Sequence, residues 1–163
     1  MSYEKLKYQV LHQENQFEIR RYDPFMMMKV KRTSNQGFGV LFQYISGYNQ
    51  KQQKIQMTVP VLTDVESKDY IAFTMPKENA NDAPLPLDAS IEMVKIPAKD
   101  YLSLSFKGSH HHGQKALKTL QAYAHLHHIE LIGEPILLRY QGPFTLPFMK
   151  DNDVIVEIKS VNL

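Results

Sequence analysis

Seven histidines, at positions 12, 110, 111, 112, 125, 127 and 128, are the side chains of this chain best suited to chemistry near neutral pH. Neutral imidazole binds zinc, nickel and copper well. In the run Ser109-His110-His111-His112, Ser109 can cap a helix, and a helix N-terminus disfavours imidazolium, so these rings are biased towards the form that ligates. Successive helical residues point about 100° apart, so three in a row cannot converge on one ion. The run therefore reads as a polar helix start with surface histidines, and no metal site is assigned. His127 falls near the apolar stripe of the same helix and reads as a partly buried, satisfied ring. The chain has no cysteine, which removes disulfides, thiolate ligands, iron–sulfur clusters and a cysteine nucleophile. It has no G-x-S-x-G, no H-E-x-x-H and no glycine-rich phosphate loop. No pair of carboxylates stands out, and Ser103 and Ser105 alternate along a strand as its exposed face. The expectation is a binding protein, not an enzyme.

Apolar chemistry is the stronger signal. Phe38, Leu41, Phe42 and Ile45 recur at i, i+3, i+4 and i+7, the spacing of one helix face. Ser34 or Asn35 can cap this helix and Gly47 can end it. Val40, Tyr44 and Tyr48 form a second stripe beside the first, and Gly37 and Gly39 sit in the first turns, where each glycine costs about 1 kcal/mol against alanine. Two readings stand: a wide core-facing surface, or a surface with room for a flat apolar ligand.

The elements that must position these residues follow from periodicity. Residues 4–12, 17–22 and 25–31 read as strands, and 35–47 as the first helix. In Lys54–Leu62 the apolar residues Ile55, Met57, Val59 and Val61 alternate, a half-buried strand in which Pro60 requires a sheet edge or a bulge. Residues 69–76 read as a strand, 77–90 as a loop rich in Pro, Asn and Asp, and 91–96 and 101–107 as strands. A second helix over roughly 110–127 buries Ala116, Leu117, Leu120, Tyr123 and Ala124, and strands over 129–140 and 153–159 close the chain. Phe17–Arg21 is echoed by Ile91–Lys95, and Val59-Pro60-Val61 by Glu134-Pro135-Ile136. The chain thus reads as one α+β domain over 1–163, built from two pseudo-symmetric βαβ-type repeats of about 5–76 and 90–160. Two such units can join their sheets into a barrel-like sheet with both helices outside, and a cleft between the halves suits a ligand.

With 43% hydrophobic and 22% charged residues the composition is globular, and a net charge of +2 with scattered basic residues argues against nucleic acid. No apolar run approaches the ~20 residues of a membrane span, and no signal peptide is visible, so a cytoplasmic location is expected.

Several segments in order resemble the SOUL family of haem-binding proteins. They are Tyr8-Gln9-Val10-Leu11 with Phe17–Tyr22, Leu41–Asn49, Lys54–Val61, Phe73–Lys77 and Tyr140–Val156, of which Lys54–Val61 is the most specific. The resemblance implies a distorted antiparallel β-barrel flanked by two helices, and non-covalent binding of haem or another tetrapyrrole in a shallow hydrophobic cleft between the first helix and the C-terminal loop and strand. Carried onto this sequence, Phe38, Leu41, Phe42 and Ile45 would oppose Phe144, Phe148 and Met149, with the Tyr44 stripe as the alternative helix face. Lys54, Arg139 and Lys150 would meet the propionates. The axial histidine assigned in one member has no counterpart here, because no histidine lies between residues 13 and 109. Tyr44, Tyr48 and Met57 are the remaining donors of that region. Carrier, buffer and sensor roles are all compatible. The alternatives are a general small-molecule effector domain, like the gyrase-inhibitor-like domains of the same two-repeat architecture, and a protein-interaction module presenting Phe144, Leu146 and Phe148.

Overall fold

The computed structural model describes residues 3–141, 146 and 149–160. The segments of period two become strands β1 (Glu4–Lys5), β2 (Tyr8–Glu14), β3 (Phe17–Tyr22), β4 (Phe25–Val30), β5 (Thr58–Val59), β6 (Val61–Thr63), β7 (Ile71–Thr74), β8 (Ile91–Ile96), β9 (Lys99–Lys107), β10 (Ile136–Arg139) and β11 (Asp151–Glu157). The two helical patterns become α1 (Ser34–Ile45) and α2 (Gly113–Leu126). Nine strands pair in the order β2-β3-β9-β11-β10-β6-β7-β4-β8, every neighbour antiparallel, while β1 runs parallel to β5 in a separate pair. This is the expected α+β class. The pairing ends at β2 and β8 among the described residues, so the structure gives a large antiparallel sheet without the ladder that would close a barrel. Leaving out β2, exchanging β3, β4, β6 and β7 with β8, β9, β10 and β11 turns the strand order into its own reverse.

Both helices lie on the same face of this sheet. Residues directly opposite one another in an antiparallel ladder share a face. Leu137 pairs with Thr63 and Val154, Val154 with Leu104, and Thr63 with Ile71, which sets one face. On it α2 buries Ala116, Leu117, Leu120 and Ala124 against Leu102, Leu104, Leu137 and Val154. On the same face α1 buries Gly37, Leu41, Tyr44 and Ile45 against Met28, Val30, Ile71 and Phe73. Each buried Leu or Ile contributes about 1.5–3 kcal/mol of transfer free energy. The approach of α1 is closest at Gly37, where a Cβ would overlap Cγ2 of Ile71; at Gly39 a Cβ would meet open space.

The opposite face carries a buried ion cluster. Arg20, 2% exposed, donates from Nε to Glu18 at 2.8 Å and from Nη1 to Asp153 at 2.9 Å and to the Tyr22 hydroxyl. Asp153 also accepts from Tyr140 at 2.7 Å and from Ser105. The Tyr8 ring covers the guanidinium at 4.3 Å. The cluster forms the floor of a cavity of about 450 Å³.

Several local expectations are corrected. The α1 cap is Thr33, whose Oγ1 accepts from the Gln36 N–H, and Ser109 caps a 3-10 turn, His110–His112, that precedes α2. The alternation in Lys54–Leu62 holds only as far as Met57: Thr58, Val59 and Pro60 are all buried, because Thr58 Oγ1 donates to the Thr74 carbonyl at 2.7 Å and turns inward. Pro60 follows a cis peptide bond between β5 and β6 and lies outside both strands, so it removes no ladder bond, although β6 is central in the sheet. Ser103 is buried, its hydroxyl donating to the Glu18 carbonyl.

The two α1 glycines make a paired prediction. Gly37→Ala should cost about 1–3 kcal/mol by denaturant unfolding, because Ile71 is β-branched and held in a strand. Gly39→Ala should stabilise by up to about 1 kcal/mol. Equal effects at the two positions would contradict the close contact at Gly37.

Candidate functional site

One row of side chains crosses the helix face near the end of β6. Arg139 pairs with Val61 on one side and with Asn152 on the other. Extending the β6–β7 register by one residue sets Val61 beside Phe73. Phe38, on α1, lies edge-on to Phe73 with ring centroids 5.4 Å apart, and stacks towards Phe42 at 6.0 Å. These two rings are 42% and 52% exposed, although both are large and apolar. Neighbouring strands are about 4.8 Å apart, so Arg139 stands roughly 10 Å from Phe73 across the half-buried Val61. The result is a shallow cleft with an aromatic wall and a cationic one.

The turn before α2 borders the strand beside Arg139. The Gly108 N–H donates to the Lys150 carbonyl at 2.9 Å, and the Asn152 amide donates to the Gly108 carbonyl at 2.8 Å, which ties the turn before α2 to the start of β11. That turn carries His110, half-buried, its ring 4.1 Å from that of His111. Burial lowers the His110 pKa to about 4, helped by the positive charges of Arg139, His111 and Lys150. Burial also lowers the pKa of Arg139. Neither Arg139 nor Lys150 has a carboxylate partner among the described residues. Two unpaired cations beside a neutral imidazole suit an anionic group on a ligand.

The structure brings some of the expected residues together and separates others. Phe38, Phe42, Arg139 and Lys150 belong to this region. Leu41, Tyr44 and Ile45 do not face it: they are buried under α1, so the core stripe draws on both apparent stripes, with Gly37 in contact with Ile71 setting its phase. The Tyr44 hydroxyl donates to the Pro84 carbonyl and its pKa is pushed up to about 12 by burial. Lys54 is exposed beside Ile55, whose N–H donates to the Ile45 carbonyl at the end of α1, and no hydrogen bond or ion pair among the described residues joins it to Arg139. Met149 is exposed. Phe144 and Phe148 lie outside the described residues. His110 was not among the expected ligand contacts; the signal was the histidine run itself, but its neighbours come from two strands that only the register brings close. His127 is exposed, not partly buried, and its ring lies 4.1 Å from Tyr123. With His12 and His128 it lines a cavity of about 430 Å³. No group of three or more His, Asp or Glu side chains among the described residues is placed to hold a metal ion. No helix among them is long and apolar enough to cross a membrane.

Comparison with known proteins places this geometry in a family context. The sequence model of a family described as SOUL heme-binding protein matches residues 3–157. Heme-binding protein 2 of Homo sapiens is 33% identical over an alignment of 94 positions that covers 48% of this chain and 46% of that protein, so the match spans about half of each. Among solved structures, the EcmrR C-terminal domain superposes with a TM-score of 0.64 at 14% identity, covering 94% of this chain and 99% of that one. A hydrolase from Listeria innocua superposes at 0.58 and 8% identity, covering 91% and 94%. At these identities the two structures show the fold alone.

A histidine titration by NMR checks the electrostatics of the cationic wall. The unfolded ring has a pKa near 6.5 and the folded His110 one near 4, so the unfolded state binds more protons between those values. Stability contributed by neutral His110 is therefore complete above about pH 6.5 and is lost as pH falls towards 4. One of the seven histidines should titrate near 4, and Arg139→Gln should raise its pKa by removing a repelling charge. Titration of all seven rings near 6.5 would contradict the arrangement.

Proposed function

The chain belongs to the SOUL heme-binding protein family, and from that premise we propose that it binds haem or a related tetrapyrrole non-covalently, as a carrier, buffer or sensor and not as an enzyme. The observation that carries this reading is the row Phe38–Phe73–Val61–Arg139, which sets an exposed pair of stacked phenylalanines opposite a cation without a carboxylate partner among the described residues. A tetrapyrrole is flat and apolar in its ring and carries carboxylates at one edge. Phe38 and Phe42 fit the ring, and Arg139 and Lys150 fit the carboxylates.

The magnitudes support such a division of labour. Apolar area covered on binding contributes about 25 cal/mol per Å², reduced by the cost of association. Each charge-assisted hydrogen bond from Arg139 or Lys150 to a carboxylate adds about 1.5–3 kcal/mol. Bound iron would supply redox and gas-ligand chemistry; the chain itself orients the ring, neutralises its carboxylates and covers one face. Tyr44 takes no part as a phenolate ligand, since its hydroxyl is buried and already donates to Pro84. Met57 packs against the α1 core cluster. The symmetric strand order supports descent of the two halves from one duplicated unit, within a single domain.

A second reading, a general small-molecule effector domain, draws support from the cavity over Arg20 and Asp153 on the other face. The two readings assign different residues. Titration of the purified protein with hemin should give a saturable Soret shift. The double variant Phe38→Ser, Phe42→Ser and the single variant Arg139→Gln should each weaken binding about 10-fold or more, with circular dichroism unchanged. Wild-type affinity in both would move the ligand away from this cleft.

A further inference from the structure

The cavity of about 430 Å³ at the C-terminal end of α2 shares no lining residue with the cleft between Phe38 and Arg139. From its walls we propose that it binds an uncharged planar heteroaromatic compound, of the purine or pterin kind, stacked on the His127 ring.

A stack of three rings ends at this cavity. Phe17 and Tyr123 have centroids 4.0 Å apart at an interplanar angle of 12°, and Tyr123 and His127 lie 4.1 Å apart at 31°. Two rings so close and so nearly parallel to a third cover its opposite faces, so Tyr123 is the middle layer. Tyr123 and His127 line the cavity and Phe17 does not, which sets the open end of the stack at His127. The Tyr123 hydroxyl donates to Glu14 at 3.1 Å and fixes the middle ring. A flat aromatic ligand continues such a stack.

Two departures from regular backbone bring further imidazoles to the same cavity. In β2, Val10 pairs with Arg20, on the face away from the helices, and a regular strand would send His12 the same way. The β-bulge at Leu11 pairs His12 with Ile19 instead, whose ladder neighbour Leu102 lies under α2. His128 follows α2 with φ 55°, a left-handed conformation in which glycine is usual. The Ile129 N–H closes that cap on the Ala124 carbonyl at 2.8 Å. The Lys159 N–H donates to the Glu130 carbonyl at 3.2 Å and joins the two segments that complete the rim.

The chemistry of the lining selects the ligand. Half-buried Ile19 and Ile129 supply an apolar floor. His12, His128, Glu130, Lys159 and Ser160 supply hydrogen-bond donors and acceptors. Lys159 and Glu130 balance in formal charge, and the carbonyl end of α2 adds partial negative charge, so the walls do not favour an anion. The imidazoles are not placed to converge on a metal ion. A tetrapyrrole would bring its carboxylates to a wall with one lysine and one glutamate. An uncharged base brings a face to stack and an edge to hydrogen-bond.

Calorimetry and histidine-ring NMR on the full chain test this, with adenosine, guanosine and pterin as probes. At least one should bind saturably and shift the signals of His12, Tyr123, His127 and His128. His127→Ala should weaken that binding about 10-fold or more with circular dichroism unchanged. His125→Ala, exposed on the same helix but outside the lining, should leave it intact. The variant Phe38→Ser, Phe42→Ser should also leave it intact, which separates this site from the tetrapyrrole cleft. Binding by none of the probes, or wild-type affinity in His127→Ala, overturns the assignment. Tighter binding of a nucleoside 5′-monophosphate than of its nucleoside would make the cavity an anion site and overturn it too. Shifts of these rings by hemin and not by the bases would make it a tetrapyrrole site, with the same consequence.

Discussion

The contact between Gly37 and Ile71 is the constraint on which the helix face depends. A side chain at residue 37 would collide with a β-branched residue held in a strand, so only glycine lets the α1 backbone rest there. Once that point is set, the 3.6-residue period decides the rest of the helix. Leu41, Tyr44 and Ile45 turn into the core, and Phe38 and Phe42 are carried to its edge, where they remain exposed. Burying Tyr44 has its own consequence, because its hydroxyl needs a partner and finds the Pro84 carbonyl, which pins the loop after β7 to the helix. The exposure of two stacked phenylalanines is thus a by-product of core packing that leaves an apolar wall beside the sheet.

The sheet register supplies the other wall and keeps two chemistries apart. Alternation along β10 and β11 sends Arg139 and Asn152 to the helix face, and Leu138 and Asp153 to the opposite one. On that opposite face Arg20, Glu18, Asp153, Tyr22 and Tyr140 satisfy one another. Removing one partner of such a buried ion cluster is strongly destabilising, so these groups are explained by the fold itself. Arg139 has no such partner among the described residues. The contrast between a satisfied arginine and an unsatisfied one, three strands apart in the same sheet, separates structure from function here.

Much of the framework was legible in the sequence, and the losses have identifiable causes. Phe17–Tyr22 and Ile91–Ile96 emerge as strands with the expected ends, because their alternation is clean and turns bound them. The α2 stripe was also readable, since a single apolar face leaves one solution. The phase of α1 was not: two adjacent stripes fit the period equally well, and the tie is broken by Ile71 on a later strand. Thr58 and Ser103 read as exposed because they are polar, yet both find backbone carbonyls to donate to and are buried. The family motif at Lys54–Val61 identified lineage without touching the site, apart from Val61 on the cleft floor.

The central claim is that the ligand lies on the helix face, between the Phe38–Phe42 wall and Arg139. Paramagnetic broadening by bound ferric hemin in the NMR spectrum of labelled protein tests it most directly. The account predicts loss of signals from Phe38, Phe42, Val61 and Arg139, with Tyr8, Gln16 and Arg20 left sharp. Broadening of Tyr8, Gln16 and Arg20 with the α1 signals intact would contradict it and place the ligand in the cavity on the other face.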